Sequence, residues 1–209
     1  MTEHISDLEL AALVSSRICH DIINPVGAIT NGLEVLDDEP DQDMREQALV
    51  LIRRSARQAT AKLEFARLAF GAAGSTGAEI DLRDAERVAR EFVQTGKHNL
   101  AWQGPAITLP KDKVKLLLNL VALGVAALPR GGEVSVEIAG TPEQPGITVH
   151  AKGDAARLEE KTLQLLSGTN GALPDARLIL PYYARRVAEA AGMTLAVEAR
   201  DAEVELKAA

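Results

Sequence analysis

Cysteine occurs once, at Cys19, and histidine four times, at His4, His20, His98 and His150. A single thiol excludes an internal disulfide framework and a cysteine-rich zinc site, and it fits a reducing compartment. Aromatic residues make up only 3% of the chain while alanine and leucine abound, which favours helix packing over an all-β sandwich. Positive charge is also short. A formal net charge of −7 argues against a nucleic-acid partner, because phosphate binding needs a clustered basic surface. No apolar run approaches the length that spans a membrane, and MTEHISDLEL lacks the basic-then-apolar pattern of a secretory leader. The expectation is a cytoplasmic protein with no nucleic-acid and no membrane partner. What the chain does have is 209 residues that are 46% hydrophobic and 25% charged, enough to bury a core in one or two domains.

Two long helical patterns come first. Leu8, Ala12, Cys19, Ile22, Ile23, Val26, Ile29, Leu33 and Leu36 recur at spacings of three and four, which predicts a helix from about Ile5 to Leu36 with a broad buried stripe. DDEPDQD (37–43) stops it, and Met44, Ala48, Leu51, Ile52, Ser55, Ala59, Leu63, Ala66 and Phe70 continue the period in a second helix. The pair predicts an antiparallel hairpin with one apolar face too many, and so a homodimer whose four helices close a common core. GAAGSTGAE (71–79) reads as an interdomain linker. Beyond it helices and strands mix: a helix capped by Asp81, strands HNLAWQ (98–103) and ITL (107–109), and an apolar helix at 111–128. Alternating strands at 133–140 and 146–153, helices at about 155–167 and 182–191, and strands TLAVEA and EVELKA complete the chain. The fold class expected is α+β, with a helical hairpin over 1–72 and a two-layer α/β sandwich over 73–209.

His20 interrupts the first helical pattern within RICHDIINPVGAITN (17–31). A lone helical histidine is most often a surface or satisfied core residue. Here it shares a stripe with Ser16, Asn24, Gly27 and Asn31, all small or polar, with Ala28 and Val35 flanking the same groove. Gly27 and Pro25 inside a helix cost about 1 and about 3 kcal/mol relative to alanine, which suggests that local shape is kept for a purpose. A zinc site fits poorly, since no second histidine stands one turn away. Phosphoryl transfer through an imidazole nitrogen fits better, with Asp21 orienting the ring.

HDIINPVGAI resembles the phosphoacceptor motif of two-component histidine kinases: a histidine, an acid, two residues, threonine or asparagine, then proline. His20, Asp21, Asn24 and Pro25 match it. The layout, a hairpin and one further domain without a sensor or receiver, is similar to the ChpT-type histidine phosphotransferases of alphaproteobacteria. The resemblance implies a homodimeric four-helix bundle carrying phosphate on His20, with Asp21 and Asn24 assisting, followed by a domain of the kinase ATP-binding fold. A receiver reaching His20 would lie on the helix face given by stepping four and three from it, over Asn24, Gly27 and Asn31 with Ala28 and Val35 flanking the same groove. The implied partners are the receiver domain of a CckA-like hybrid kinase as donor and CtrA-like and CpdR-like response regulators as acceptors. No cofactor is expected on this chain, the Mg²⁺ being held by the receiver.

The second half departs from a working kinase. Asn119 stands at the first asparagine of the kinase asparagine motif, but Leu123 takes the place of the second, which would hold Mg²⁺. Ala151 replaces the acid of the adenine-recognising Asp-x-Gly, of which Gly153 survives. Without them the chain has no evident way to hold and polarise a triphosphate. Two alternatives stay open: a degenerate kinase that still binds nucleotide through Asn119, Asp154 and the 168–171 loop, and a dimeric adaptor in which His20 is silent.

Overall fold

The computed structural model describes residues 5–38, 41–71, 79–169 and 173–209. Helices α1 (Asp7–Asp38) and α2 (Gln42–Ala69) form the expected antiparallel hairpin. Ser6 and Glu9 make a reciprocal capping box at the start of α1, and Asp41 accepts from the backbone N–H groups of Asp43 and Met44 to start α2. The helices pack closely at Gly32, where an added Cβ would lie 2.6 Å from Ile52 Cγ1.

The predicted stripe of α1 is divided. Pro25 and Gly32 are the buried residues of this helix, whereas Leu8, Ile23, Val26 and Leu33 are 82, 67, 46 and 49% exposed. A small residue at the crossing lets the two backbones come together, while these four larger apolar side chains stay open to solvent. With Met44, Leu51 and Leu63 of α2, also exposed, they leave an uncovered apolar surface on the hairpin.

Of the predicted linker at 71–79, residues 72–78 lie outside the described residues, and Glu79 opens a strand instead. Strand β1 (Glu79–Asp81) pairs antiparallel with β3 (Thr108–Pro110). Asp81 then caps α3 (Leu82–Val93), as expected. Strand β2 (His98–Gln103), helix α4 (Lys111–Ala126), and strands β4 (Gly132–Gly140) and β5 (Pro145–Lys152) follow. Helix α5 (Glu160–Ser167) begins later than predicted and α6 (Ile179–Ala190) earlier, with Pro181 tolerated in its first turn. Strands β6 (Leu195–Arg200) and β7 (Glu203–Ala208) end the chain.

The main sheet runs β2-β4-β5-β7-β6, parallel only between β2 and β4. Alternate residues of its central strands, among them Val134, Val136, Ile147, Val149, Val204 and Leu206, are buried in one core with Leu82, Val88, Leu117 and Leu120 of the helices. The opposite face carries Ser135, His150, Glu203 and Glu205 and, among the described residues, no helix, giving the two-layer α+β arrangement expected.

The scarce aromatics concentrate where hairpin and sheet layer meet. Phe65 of α2 stacks on Phe92 of α3 with ring centroids 3.9 Å apart, and Phe70 packs against Tyr183 of α6. The first turns of α1 join in through Leu10, Leu13 and Val14, which pack on Leu165, Ile179 and Tyr182. The hairpin is thus fastened to the α/β layer at its base and free of it toward the α1–α2 turn.

Candidate functional site

His20 stands on α1 just beyond this junction, with 72% of its side chain exposed. The other described histidines are engaged. His98 is half-buried, its Nε2 3.0 Å from the Leu128 carbonyl. His150 lies between Glu203 and Glu205, with one carboxylate near each ring nitrogen. His4 lies outside the described residues.

The ring of His20 turns Nδ1 toward Asp21, 3.8 Å from Oδ1. That separation is too long for a hydrogen bond, but it sets the carboxylate beside the Nδ1 edge of a ring that is otherwise open to solvent. The other carboxylate oxygen, Oδ2, accepts a 2.8 Å bond from Arg17 Nε. Arg17 also donates through a terminal guanidinium nitrogen to the Arg177 carbonyl, 3.2 Å away, in the turn before α6. That turn is fixed by Asp175, whose carboxylate accepts from the backbone N–H groups of Arg177 and Leu178, both at 2.9 Å. The Leu178 N–H foremost holds the Asp175 carboxyl below its ordinary range.

Pro25 has a local consequence at the same place. Proline carries no N–H, so the Asp21 carbonyl loses its partner in the helical ladder. Lys62 of α2 supplies the missing donor, its Nζ 3.0 Å from Asp21 O. The acid is therefore held at both ends, carboxylate by Arg17 and carbonyl by Lys62. Neither residue figured in the sequence reading. Arg17 stands four residues before Asp21, an ordinary helical charge-pair spacing that could have flagged it.

The predicted docking residues fall in two groups. Asn24, Gly27 and Asn31 are exposed on the face that carries His20, and a Cβ added at Gly27 would meet nothing within 4 Å. Ala28 and Val35 are half-buried.

The residues compared with the kinase motifs occupy structural positions. Asn119 is fully buried, and its Nδ2 donates to the carbonyls of Ala69, the last residue of α2, and of Lys115. Leu123 is 1% exposed, and Ala151 lies wholly in the sheet core opposite Val134 and Val204. Gly153 is required by a close backbone approach, since a Cβ there would stand 2.7 Å from the Gly131 carbonyl. Asp154 is exposed. Gly168 ends α5 in a left-handed cap with φ 71°, and residues 170–171 of the 168–171 loop lie outside the described residues. A cavity of about 400 Å³ beside Leu123 is bordered by Arg17, Arg157, Thr162 and Arg177. Among the described residues no cluster of metal-ligating side chains occurs, and no helix is long and apolar enough to cross a membrane.

Residues 82–203 match the family described as "Histidine phosphotransferase C-terminal domain". The chain is 48% identical to the protein phosphotransferase ChpT of Brucella abortus (strain 2308), over 93% of its own length and 92% of the relative's. The chain belongs to the ChpT-type histidine phosphotransferases. Its backbone is similar throughout to a solved bacterial phosphotransferase, with a TM-score of 0.91, 43% identity and complete coverage of both chains. Within this phosphotransferase, His20 is the described imidazole that is both open to a partner and backed by an acid.

Proposed function

We propose that His20 relays a phosphoryl group between receiver domains, taking it from a receiver of a CckA-like hybrid kinase and passing it to CtrA-like and CpdR-like response regulators. The observation that carries the reading is the exposed ring with Nδ1 directed at Asp21. In the forward step the Nε2 lone pair forms a bond to phosphorus. The bond from phosphorus to the receiver's aspartyl oxygen breaks, and its electron pair returns to that carboxylate. The ring keeps its Nδ1 proton and gains positive charge, which the Asp21 carboxylate offsets. The second transfer reverses these changes on another receiver. Each receiver brings its own aspartate and Mg²⁺, so the chain needs no cofactor of its own. Asn24, exposed next along the stripe, is placed to contact the phosphoryl oxygens.

Residues 1–72 serve as the phosphate-carrying and dimerising unit and 73–209 as its support. The uncovered apolar side chains of the hairpin favour a homodimer, because covering each large one is worth roughly 1.5–3 kcal/mol. The receiver docks over Gly27 and Asn31, with Ala28 and Val35 at the floor of the same face, in the cytoplasm. The burial of Asn119, Leu123 and Ala151 supports a chain that takes phosphate from aspartyl phosphate rather than from ATP.

The test mixes a receiver carrying labelled aspartyl phosphate with the wild-type chain and with His20→Ala. The expected result is acid-labile label on the wild type alone. Label that persists on His20→Ala overturns the reading.

A further inference from the structure

We infer that Arg17 is a positioning residue for phosphoryl transfer, through which the α/β layer acts on the phosphate-bearing histidine. The inference rests on the reading that His20 carries the phosphoryl group. Its ground is a continuous run of contacts: the Arg177 carbonyl to the Arg17 guanidinium at 3.2 Å, Arg17 Nε to Asp21 Oδ2 at 2.8 Å, and Asp21 Oδ1 to His20 Nδ1 at 3.8 Å. Arg17 itself does not touch the reacting nitrogen.

Three physical consequences follow. A carboxylate on a helix surface can rotate about its terminal torsion. Engaging Oδ2 with a charge-assisted bond fixes that rotation and leaves Oδ1 toward the imidazole. The guanidinium also offsets part of the carboxylate charge, which would otherwise oppose the approach of an anionic phosphoryl group. Finally, the second bond of Arg17 crosses from α1 to the turn before α6. That turn is itself pinned by Asp175, through its bonds from Arg177 N and Leu178 N. The side chain of Arg17 is 30% exposed, against 72% for His20, so it is sheltered at the junction while the ring is open. The α/β layer therefore sets the orientation of Asp21 without contributing any atom to the reaction.

The test is a double-mutant cycle on the transfer reaction. Rates are measured with a phosphorylated receiver for the full-length wild type, Arg17→Met, Asp21→Asn and the double variant, after circular dichroism and thermal melting confirm that each is folded. Arg17→Met should lower the transfer rate at saturating receiver by about ten- to a hundredfold and leave the half-saturating receiver concentration unchanged within about twofold. In the Asp21→Asn background the same substitution should have no further effect, since the group it positions is gone. Arg17→Lys keeps the charge and N–H donors but lacks the planar fork that reaches the two partners from separate nitrogens, so it should recover part of the rate, and it takes the place of Arg17→Met in the cycle should that variant not fold. Asp175→Ala should slow transfer by a smaller factor, and only while Arg17 is present. An undiminished effect of Arg17→Met in the Asp21→Asn background, an effect confined to the half-saturating concentration, or an unchanged rate overturns the role of Arg17. Any of these, found alongside loss of label in His20→Ala, leaves the phosphate-carrying role of His20 standing, whereas label retained in His20→Ala overturns both.

Discussion

Replacing Asn119 with aspartate separates a structural asparagine from one kept for nucleotide. The side chain is fully buried, and its Nδ2 donates at 3.1 Å to Ala69 O and at 2.8 Å to Lys115 O. Oδ1 has no protein partner among the described residues. Asn119→Asp turns that donor nitrogen into an oxygen and sets a carboxylate against two carbonyls. Burial and this repulsion should raise the folded-state pKa of the new carboxyl by about 2–3 units above an ordinary aspartate. At 1.36 kcal/mol per unit the variant loses about 3–4 kcal/mol once the pH is above that raised value. The sign follows from proton uptake. The folded state holds the proton more tightly than the unfolded one, so the ionisation penalty vanishes below the unfolded pKa near 4 and grows as the pH rises through the folded one. Below that range the protonated carboxyl can still donate one bond, and a residual loss of about 1 kcal/mol remains. Urea unfolding of both proteins at about pH 5.5 and about pH 8 should show a gap that widens by about 1–2 kcal/mol at the higher pH. A gap that is small and independent of pH would refute the reasoning, because it would mean that water reaches this side chain. Stabilisation of the variant by Mg²⁺ and ATP beyond that of wild type would refute it differently, by placing the residue in a nucleotide site.

Gly27→Arg should leave the fold and the oligomeric state intact, since a side chain there meets no neighbour within 4 Å, yet abolish transfer in both directions; wild-type exchange rates would put the docking face elsewhere on α1. Leu33, 49% exposed on α1, should tolerate glutamate within one chain but not within the proposed dimer, so sedimentation is expected to give a dimer for wild type and a folded monomer for Leu33→Glu. Lys62→Met removes the donor that replaces the missing Pro25 N–H at Asp21 O; the expected cost is about 1–2 kcal/mol in chemical unfolding, with slower transfer, and a neutral result on both counts would show that solvent satisfies this carbonyl.

Most elements were legible because their signals are local. Asp81 heads α3, the strand at 98–103 has the predicted bounds, and β4 and β5 alternate as neighbouring strands should. β1 was missed because it is three residues long and exists through pairing with β3, on the far side of α3. Periodicity placed α1 but not its buried side: the position of Gly32 against Ile52 depends on the partner helix, which a hydrophobic count cannot see. The open stripe around His20 was legible for the same reason that the stripe is polar. Its support was less so. The Asp21 partner on its own helix was within reach of a charge-spacing argument, and the proline predicts an orphaned carbonyl, but that Lys62 fills it depends on the hairpin register.

The α/β layer gains a purpose from what its helices hold. Asn119, at the position compared with a kinase ligand, ties α4 to the last carbonyl of α2. Phe92 of α3 stacks on Phe65, and Arg87 pairs with Glu64 at 3.0 Å. On the other helix of the hairpin, Leu165, Ile179 and Tyr182 take the first turns of α1. Each of these contacts grips the hairpin on the near side of His20, and none covers the ring or Gly27. On the proposed relay, a histidine that meets more than one receiver needs a helix whose orientation does not change as partners come and go. A two-helix hairpin alone, with Leu8, Val26 and Leu33 uncovered, has little beyond the close packing at Gly32, the Lys62 bond to Asp21 O and its capping bonds to set that orientation. Fastening both helices at the base supplies the missing constraint, and it does so while the His20 side chain stays 72% exposed.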